Sequence, residues 1–203
     1  MFDARLRPLI DPPLDAMGFW LARRGVGANA VTLAGLVPAA GGMLAIAQGH
    51  FLVGLVLILA NRLLDGLDGA VARASGITDL GGYLDTLADY VFYVAIPLGF
   101  GLSATANTMA AMILIASFTL TCASFLVFAA IAARRGADTA AHGTKSIFYT
   151  TGLAEGAETI AAFIAMCLWP AHFPAIAFGF AALCLVTVIQ RSLLARRIFA
   201  RPK

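Results

Sequence analysis

From residue 30 onward the chain is a succession of apolar stretches, at about 30–47, 51–73, 80–102, 108–133, 144–168 and 174–195, parted by short breaks such as Gln48-Gly49-His50 and Trp169-Pro170. A helix of about 20 apolar residues crosses the hydrocarbon core of a bilayer, so the pattern predicts six transmembrane helices. Composition agrees, since 61% of the 203 residues are hydrophobic and 12% are charged, too few polar side chains to cover a soluble core of this size. Basic residues alternate between the two sides of the predicted bundle. Arg23, Arg24, Arg73, Arg134, Arg135, Arg196, Arg197, Arg201 and Lys203 mark one side, and the segments 47–51, 102–108 and 169–174 hold no Lys or Arg. By the positive-inside rule both termini and the 74–79 turn face the cytosol. The net charge of +3 then reflects attraction to anionic lipid head groups, and nucleic acid is not an expected partner.

The first thirty residues carry charges throughout, at Asp3, Arg5, Arg7, Asp11, Asp15, Arg23 and Arg24, and lack the apolar core of a cleaved signal peptide. Phe2, Leu6, Leu9, Ile10, Leu14, Met17, Phe19 and Trp20 interleave them, which predicts an amphipathic helix lying in the membrane interface. The expected fold is an all-α integral membrane protein of one domain, 1–203. Residues 1–27 form the interfacial helix and linker, 28–195 the six-helix bundle and 196–203 a cytosolic tail.

Into this apolar chain residues 65–89 set four aspartates, Asp65, Asp68, Asp85 and Asp89. Ionisable groups within a span are costly and mark functional sites. Asp65 and Asp68 stand at i, i+3 and Asp85 and Asp89 at i, i+4, so each pair shares a helical face. In an antiparallel hairpin that reverses near Ile77, Asp68 would meet Asp85 and Asp65 would meet Asp89, in two layers roughly 12–18 Å from the turn. Four carboxylates at such depth require protons or cations to neutralise them. Oxygen donors without His or Cys suit hard divalent ions such as Mg²⁺ or Mn²⁺. Gly66, Gly69, Gly81 and Gly82 leave bare backbone for a bulky ligand to approach, and Arg73 offers a fork for phosphate. The combination points to phosphoryl chemistry.

Asp65-x-x-Asp68-Gly69-x-x-Ala72-Arg73, followed by Gly81-x-x-x-Asp85-x-x-x-Asp89, closely resembles the signature of the CDP-alcohol phosphotransferases, integral membrane enzymes of phospholipid synthesis. The stretch from Asn29 to Gly35 resembles the Pro-Asn-x-x-Thr-x-x-Gly pattern that many of these enzymes carry, with Ala28 where proline is common. Its other reading is a helix N-cap at Asn29. The resemblance implies transfer of a phosphatidyl or similar substituted phosphate group from a CDP-linked donor, CDP-diacylglycerol first, to an alcohol, with release of CMP. It implies that Asp65, Asp68, Asp85 and Asp89 bind metal, two ions of Mg²⁺ or Mn²⁺, with Asp89 also the base toward the acceptor. Asn29, Thr32, Gly69, Ala72, Arg73 and Gly81 would contact the donor. A homodimer in a bacterial inner membrane, with its active site toward the cytosol, is the expected setting.

Lys145, with Arg134 and Arg135 before it, would suit a phosphorylated acceptor, which makes glycerol 3-phosphate the first choice. Phosphatidylglycerol, inositol phosphate, serine and choline stay open, because the signature is common to enzymes for all of them. A cation or proton transporter is the alternative from another class, since acidic clusters also form relays. Arg62 and Glu158 are expected either to pair with each other or to serve the pocket, alongside Tyr149 and Glu155. His142 is expected to be solvated. Cys122, Cys167 and Cys184 show no metal-ligand spacing and read as packing residues.

Overall fold

A computed structural model describes residues 3–135 and 156–200, with side chains from residue 11 onward. Its described residues are all-α: α1 (Asp3–Arg23), α2 (Ala28–Ala47), α3 (Phe51–Ser75), α4 (Asp79–Ser103), α5 (Thr108–Arg134), α6 (Gly156–Leu168) and α7 (Phe173–Phe199). Single 3-10 turns, Thr105–Asn107 and Pro170–His172, lead into α5 and α7. The corners follow local chemistry. Gly49 and Gly76 turn the chain after α2 and α3 with φ of +82° and +111°, a region that favours glycine. Thr78 then caps α4, its Oγ1 accepting from the Gly81 N–H at 3.0 Å.

α2, α4, α5 with its preceding turn, and α7 with its preceding turn are long and apolar enough to cross a membrane. α3 has the length, at 25 residues, but carries Arg62, Asp65, Asp68 and Arg73. α6 is a shorter apolar helix of 13 residues, and residues 144–155 of the expected fifth span lie outside the described residues. Val37, Leu52, Leu102, Met109 and Met112 are prominent among the exposed apolar side chains, as expected of a lipid-facing surface. α7 continues helical to Phe199, with Arg196 and Arg197 in its last turn. Cations there complement the C-terminal carbonyls.

The hairpin expected of α3 and α4 needs correction. The two helices reverse about residues 76–78, yet they make little contact with each other, and α2 packs closely against both. Small residues explain the preference. A Cβ on Gly99 of α4 would sit 2.6 Å from the Met43 carbonyl oxygen of α2, and Gly54 of α3 seats Ile46 of α2. Without a hydrophobic driving force inside lipid, such close van der Waals approach is what holds helices together.

Two cores result. The larger is aromatic: Phe100 stacks on Phe173 with centroids 4.5 Å apart, and Phe163 packs edge-on to Phe92 and Phe118. Cys167 and Cys184 are buried within it as free thiols. The smaller core lies at the aspartate end, where Leu14 of α1 joins Val31, Leu67, Ala70 and Val71. Here α1 lies against α3 so closely that a Cβ on Gly18 would fall 2.6 Å from Ala70. Met17, Phe19 and Trp20 face outward, with the Arg24 guanidinium 4.0 Å over the Trp20 ring. That outer face has the composition of an interfacial helix.

Candidate functional site

Because α3 and α4 diverge, their acids look at each other across a gap flanked by α2. Asp68 is only 5% exposed and has Asp85 and the Thr32 hydroxyl of α2 as neighbours. Asp65 and Asp89 are neighbours in the next layer, joined by Arg62. Nη1 of Arg62 lies 2.9 Å from Asp89 Oδ1 and 3.5 Å from Asp65 Oδ2. The two layers are those the helical spacing implies, although packing on α2, and not a close hairpin, creates them.

The expected Arg62–Glu158 pairing is absent. Arg62 engages Asp65 one turn along its own helix and Asp89 across the gap. Glu158 lies on α6. Lys145, Tyr149, His142 and Glu155 lie outside the described residues.

The remaining signature positions separate into different environments. Arg73 reaches α1, its Nη2 donating to Asp15 Oδ1 at 2.6 Å and its Nε at 3.1 Å. Its guanidinium runs beside Gly69, where a Cβ would stand 3.4 Å from Nη1. Gly66 serves packing rather than ligand approach, since Leu14 of α1 covers it at 2.8 Å from a Cβ position. Gly81 faces Asn29 Oδ1 and Thr78 Oγ1, whereas Gly82 borders open space. Ala72 is half-buried in the last turn region of α3, its carbonyl accepting from the Gly76 N–H. α2 begins at Ala28 with Gly27 as its N-cap, so Asn29 is not a cap and its side chain is available toward α4. Thr32 donates to the Ala28 carbonyl at 3.1 Å and faces Asp68.

Among the described residues no three His, Cys, Asp or Glu side chains close into a group that could hold a metal as they stand. The acids are ranged as facing pairs. The donor chemistry nonetheless fits a hard divalent cation, because all four donors are carboxylates and Asp68 is buried with no basic side chain against it among the described residues. A buried carboxylate in that position calls for a counter-charge.

Three side chains near the site were not singled out as ligands from the sequence. Asp15 emerges only through the docking of α1, and Asn61 through its contact with Arg62. Arg191 of α7 did carry a signal, as a lone cation in an apolar stretch. Its Nη1 donates to the Thr121 carbonyl at 2.9 Å and to Ser124 Oγ at 2.6 Å, and Tyr90 has both Arg191 and Asp89 as neighbours. Arg135, expected to greet an acceptor, donates to the Ile198 and Phe199 carbonyls at the end of α7.

A divalent-metal type of acidic site between membrane helices defines a class, and comparison with known proteins gives the family. The chain belongs to the CDP-alcohol phosphatidyltransferases, whose family model matches residues 26–194. It is therefore an integral membrane transferase of phospholipid synthesis, which sets the transporter alternative aside. It is 43% identical over 192 residues to the inner membrane protein YnjF of Escherichia coli (strain K12), covering 94% of this chain and 93% of that one. Over 101 residues, 49% of this chain and 53% of its relative, it is 34% identical to the archaetidylinositol phosphate synthase of Pyrococcus horikoshii. The fold is similar to that of the Mycobacterium tuberculosis phosphatidylinositol phosphate synthase PgsA1 crystallised with CDP-DAG bound, with a TM-score of 0.64 at 23% identity over 90% of this chain and 93% of that one. A second structure of the same enzyme, in complex with manganese and citrate, gives a TM-score of 0.61 at 24% identity over 88% and 86%.

Proposed function

We propose that the protein transfers a phosphatidyl group from CDP-diacylglycerol to a phosphorylated polyol, releasing CMP. The observation that carries this reading is the pair of facing aspartate layers on α3 and α4, two helices that α2 packs against and that make little contact with each other. Asp65, Asp68 and Asp85, with Asp89 at their edge, would hold Mg²⁺ or Mn²⁺, two ions in our reading, whose charge offsets the donor diphosphate when bound. Asn29 and Thr32 on α2, with Gly69, Ala72 and Gly81, form the wall for the cytidine nucleotide. Arg73 takes a phosphate oxygen. Asp89 accepts the proton of the acceptor hydroxyl; the resulting oxygen attacks phosphorus, the bond to the CMP oxygen breaks, and CMP leaves.

For the acceptor, glycerol 3-phosphate and inositol phosphate share the feature that matters, a phosphate remote from the reacting hydroxyl. Two relatives are named for inositol phosphate products. Arg191, which like Asp89 neighbours Tyr90, suits the acceptor phosphate, with Lys145 as a further cation.

The same reading makes the chain a single domain with six spans, α3 and α6 completing the four long apolar ones. It forms a homodimer in a bacterial inner membrane, with both termini and the aspartate site toward the cytosol. The test is CMP release by purified protein in detergent with CDP-diacylglycerol and Mg²⁺ or Mn²⁺, adding glycerol 3-phosphate, inositol phosphate, phosphatidylglycerol, serine or choline in turn. Metal-dependent release with a phosphorylated polyol alone is expected. Release with serine or choline would overturn the acceptor assignment, and no release in folded, metal-loaded protein would overturn the donor.

A further inference from the structure

Asn61 and Arg62 interrupt the apolar first part of α3, and neither belongs to the signature. Asn61 is buried, and its Nδ2 donates to the Gly35 carbonyl of α2 at 2.9 Å. That acceptor is next to Ala34, whose carbonyl loses its helical donor to Pro38. Oδ1 of Asn61 in turn accepts from Nε and Nη2 of Arg62, at 2.9 and 2.6 Å. One edge of the guanidinium is thereby fixed. Its face lies 4.1 Å from the centre of the buried Phe92 ring of α4, and Nη1 is left for Asp89 and Asp65.

The result is a continuous path from an α2 carbonyl through Asn61 and Arg62 to Asp89, crossing the gap between two helices that scarcely touch. An arginine serving only to neutralise acid would need no such fixing. Here the side chain is 17% exposed, all three of its nitrogens are engaged, and it meets Asp89 through a single oxygen, Oδ1. We propose that Arg62, oriented by Asn61 and Phe92, is a positioning residue that sets the Asp89 carboxylate for proton transfer and holds α4 in register with α3. The inference rests on the reading of Asp89 as the base. A fork that reaches Asn61 and Asp89 together is a property of guanidinium that an ammonium lacks.

The test uses the full-length protein in detergent with Arg62→Gln, Arg62→Lys, Asn61→Leu and the Asn61→Leu/Arg62→Gln double variant. Arg62→Gln is expected to lower kcat on the order of a hundred-fold, the scale of a misplaced catalytic group. KM for CDP-diacylglycerol should stay within about two-fold, because the interaction lost belongs to the transition state. Arg62→Lys should recover part of kcat, and the double variant should fall no further than Arg62→Gln alone. An unchanged kcat in Arg62→Gln, a parallel loss of donor binding, or additive effects of the two positions would overturn the proposal. A second arm needs no turnover: thermal unfolding of Arg62→Gln, Asp89→Asn and both together should give a smaller combined shift than the sum. Additive shifts would remove the Arg62–Asp89 link. If the wild-type protein releases no CMP with any acceptor, the base assignment falls, and this coupling alone decides whether Arg62 organises the gap.

Discussion

Arg73 of the signature ends on Asp15 of α1, Nη2 to Oδ1 at 2.6 Å, in a pair with both side chains about half exposed, 49% and 51%. An exposed pair of this kind contributes about 0–1 kcal/mol, little enough for a phosphate to displace it. In our reading the donor diphosphate competes with Asp15 for Arg73. Asp15→Asn should therefore lower KM for the CDP-linked donor by up to about five-fold, the equivalent of about 1 kcal/mol, with kcat and melting temperature nearly unchanged. Initial rates against donor concentration check it; a rise in KM would mean that Asp15 assists binding.

Asp89→Asn keeps the size and some hydrogen bonding of the side chain and removes its ability to take a proton. CMP release should fall by about 10²- to 10⁴-fold, the usual worth of a positioned base. Donor binding, measured by equilibrium titration, should persist. Loss of donor binding with turnover would instead make Asp89 a ligand first.

Asp68 offers a way to detect the cation without turnover. A buried carboxylate with no basic neighbour among the described residues costs stability until it is neutralised, so Asp68→Asn should raise the melting temperature of the metal-free protein. Mn²⁺ at a hundred times its Kd should stabilise the wild-type protein by about 2.7 kcal/mol, and Asp68→Asn should lose most of that gain. Chelation should abolish CMP release and added Mn²⁺ restore it. Differential scanning fluorimetry with and without chelator separates these outcomes.

Gly81 and Gly82 look alike in the sequence and should behave differently. A methyl at Gly81 would stand 3.0 Å from Thr78 Oγ1 and 3.3 Å from Asn29 Oδ1, disturbing both the α4 cap and a side chain that we propose meets the donor. Gly81→Ala should cost about 1 kcal/mol, the scale of a weakened cap, and reduce activity. Gly82→Ala meets open space and should be neutral or stabilising by about 0.5–1 kcal/mol. Paired melting curves and CMP assays test the contrast.

Docking of α1 depends on Gly18, where a side chain would collide with Ala70 and the Val71 nitrogen. Gly18→Val should destabilise the aspartate-end core by about 1–3 kcal/mol through overpacking. Limited proteolysis of the N-terminal segment should accelerate, and donor KM should shift in the direction expected for Asp15→Asn, since both changes free Arg73.

The sequence by itself determined what local geometry can carry. The reversal near Ile77, the ends of α2, α4 and α5 within a few residues, and the shared helical face of each aspartate pair all follow from helical period and from glycine or threonine at the corners. The signature even specified the family, because its spacing is a property of two helices read one residue at a time. Tertiary structure alone decided that α2 packs against both α3 and α4, because that choice depends on Gly54 and Gly99 fitting Ile46 and Met43 better than each other's helix. It also decided where the cations go: Arg62 to Asp89 rather than Glu158, and Arg73 to Asp15. Those partners are 27 and 58 residues away along the chain. A long charged side chain can reach acids on its own helix or on any helix brought within range, and only the packed bundle settles which one it meets.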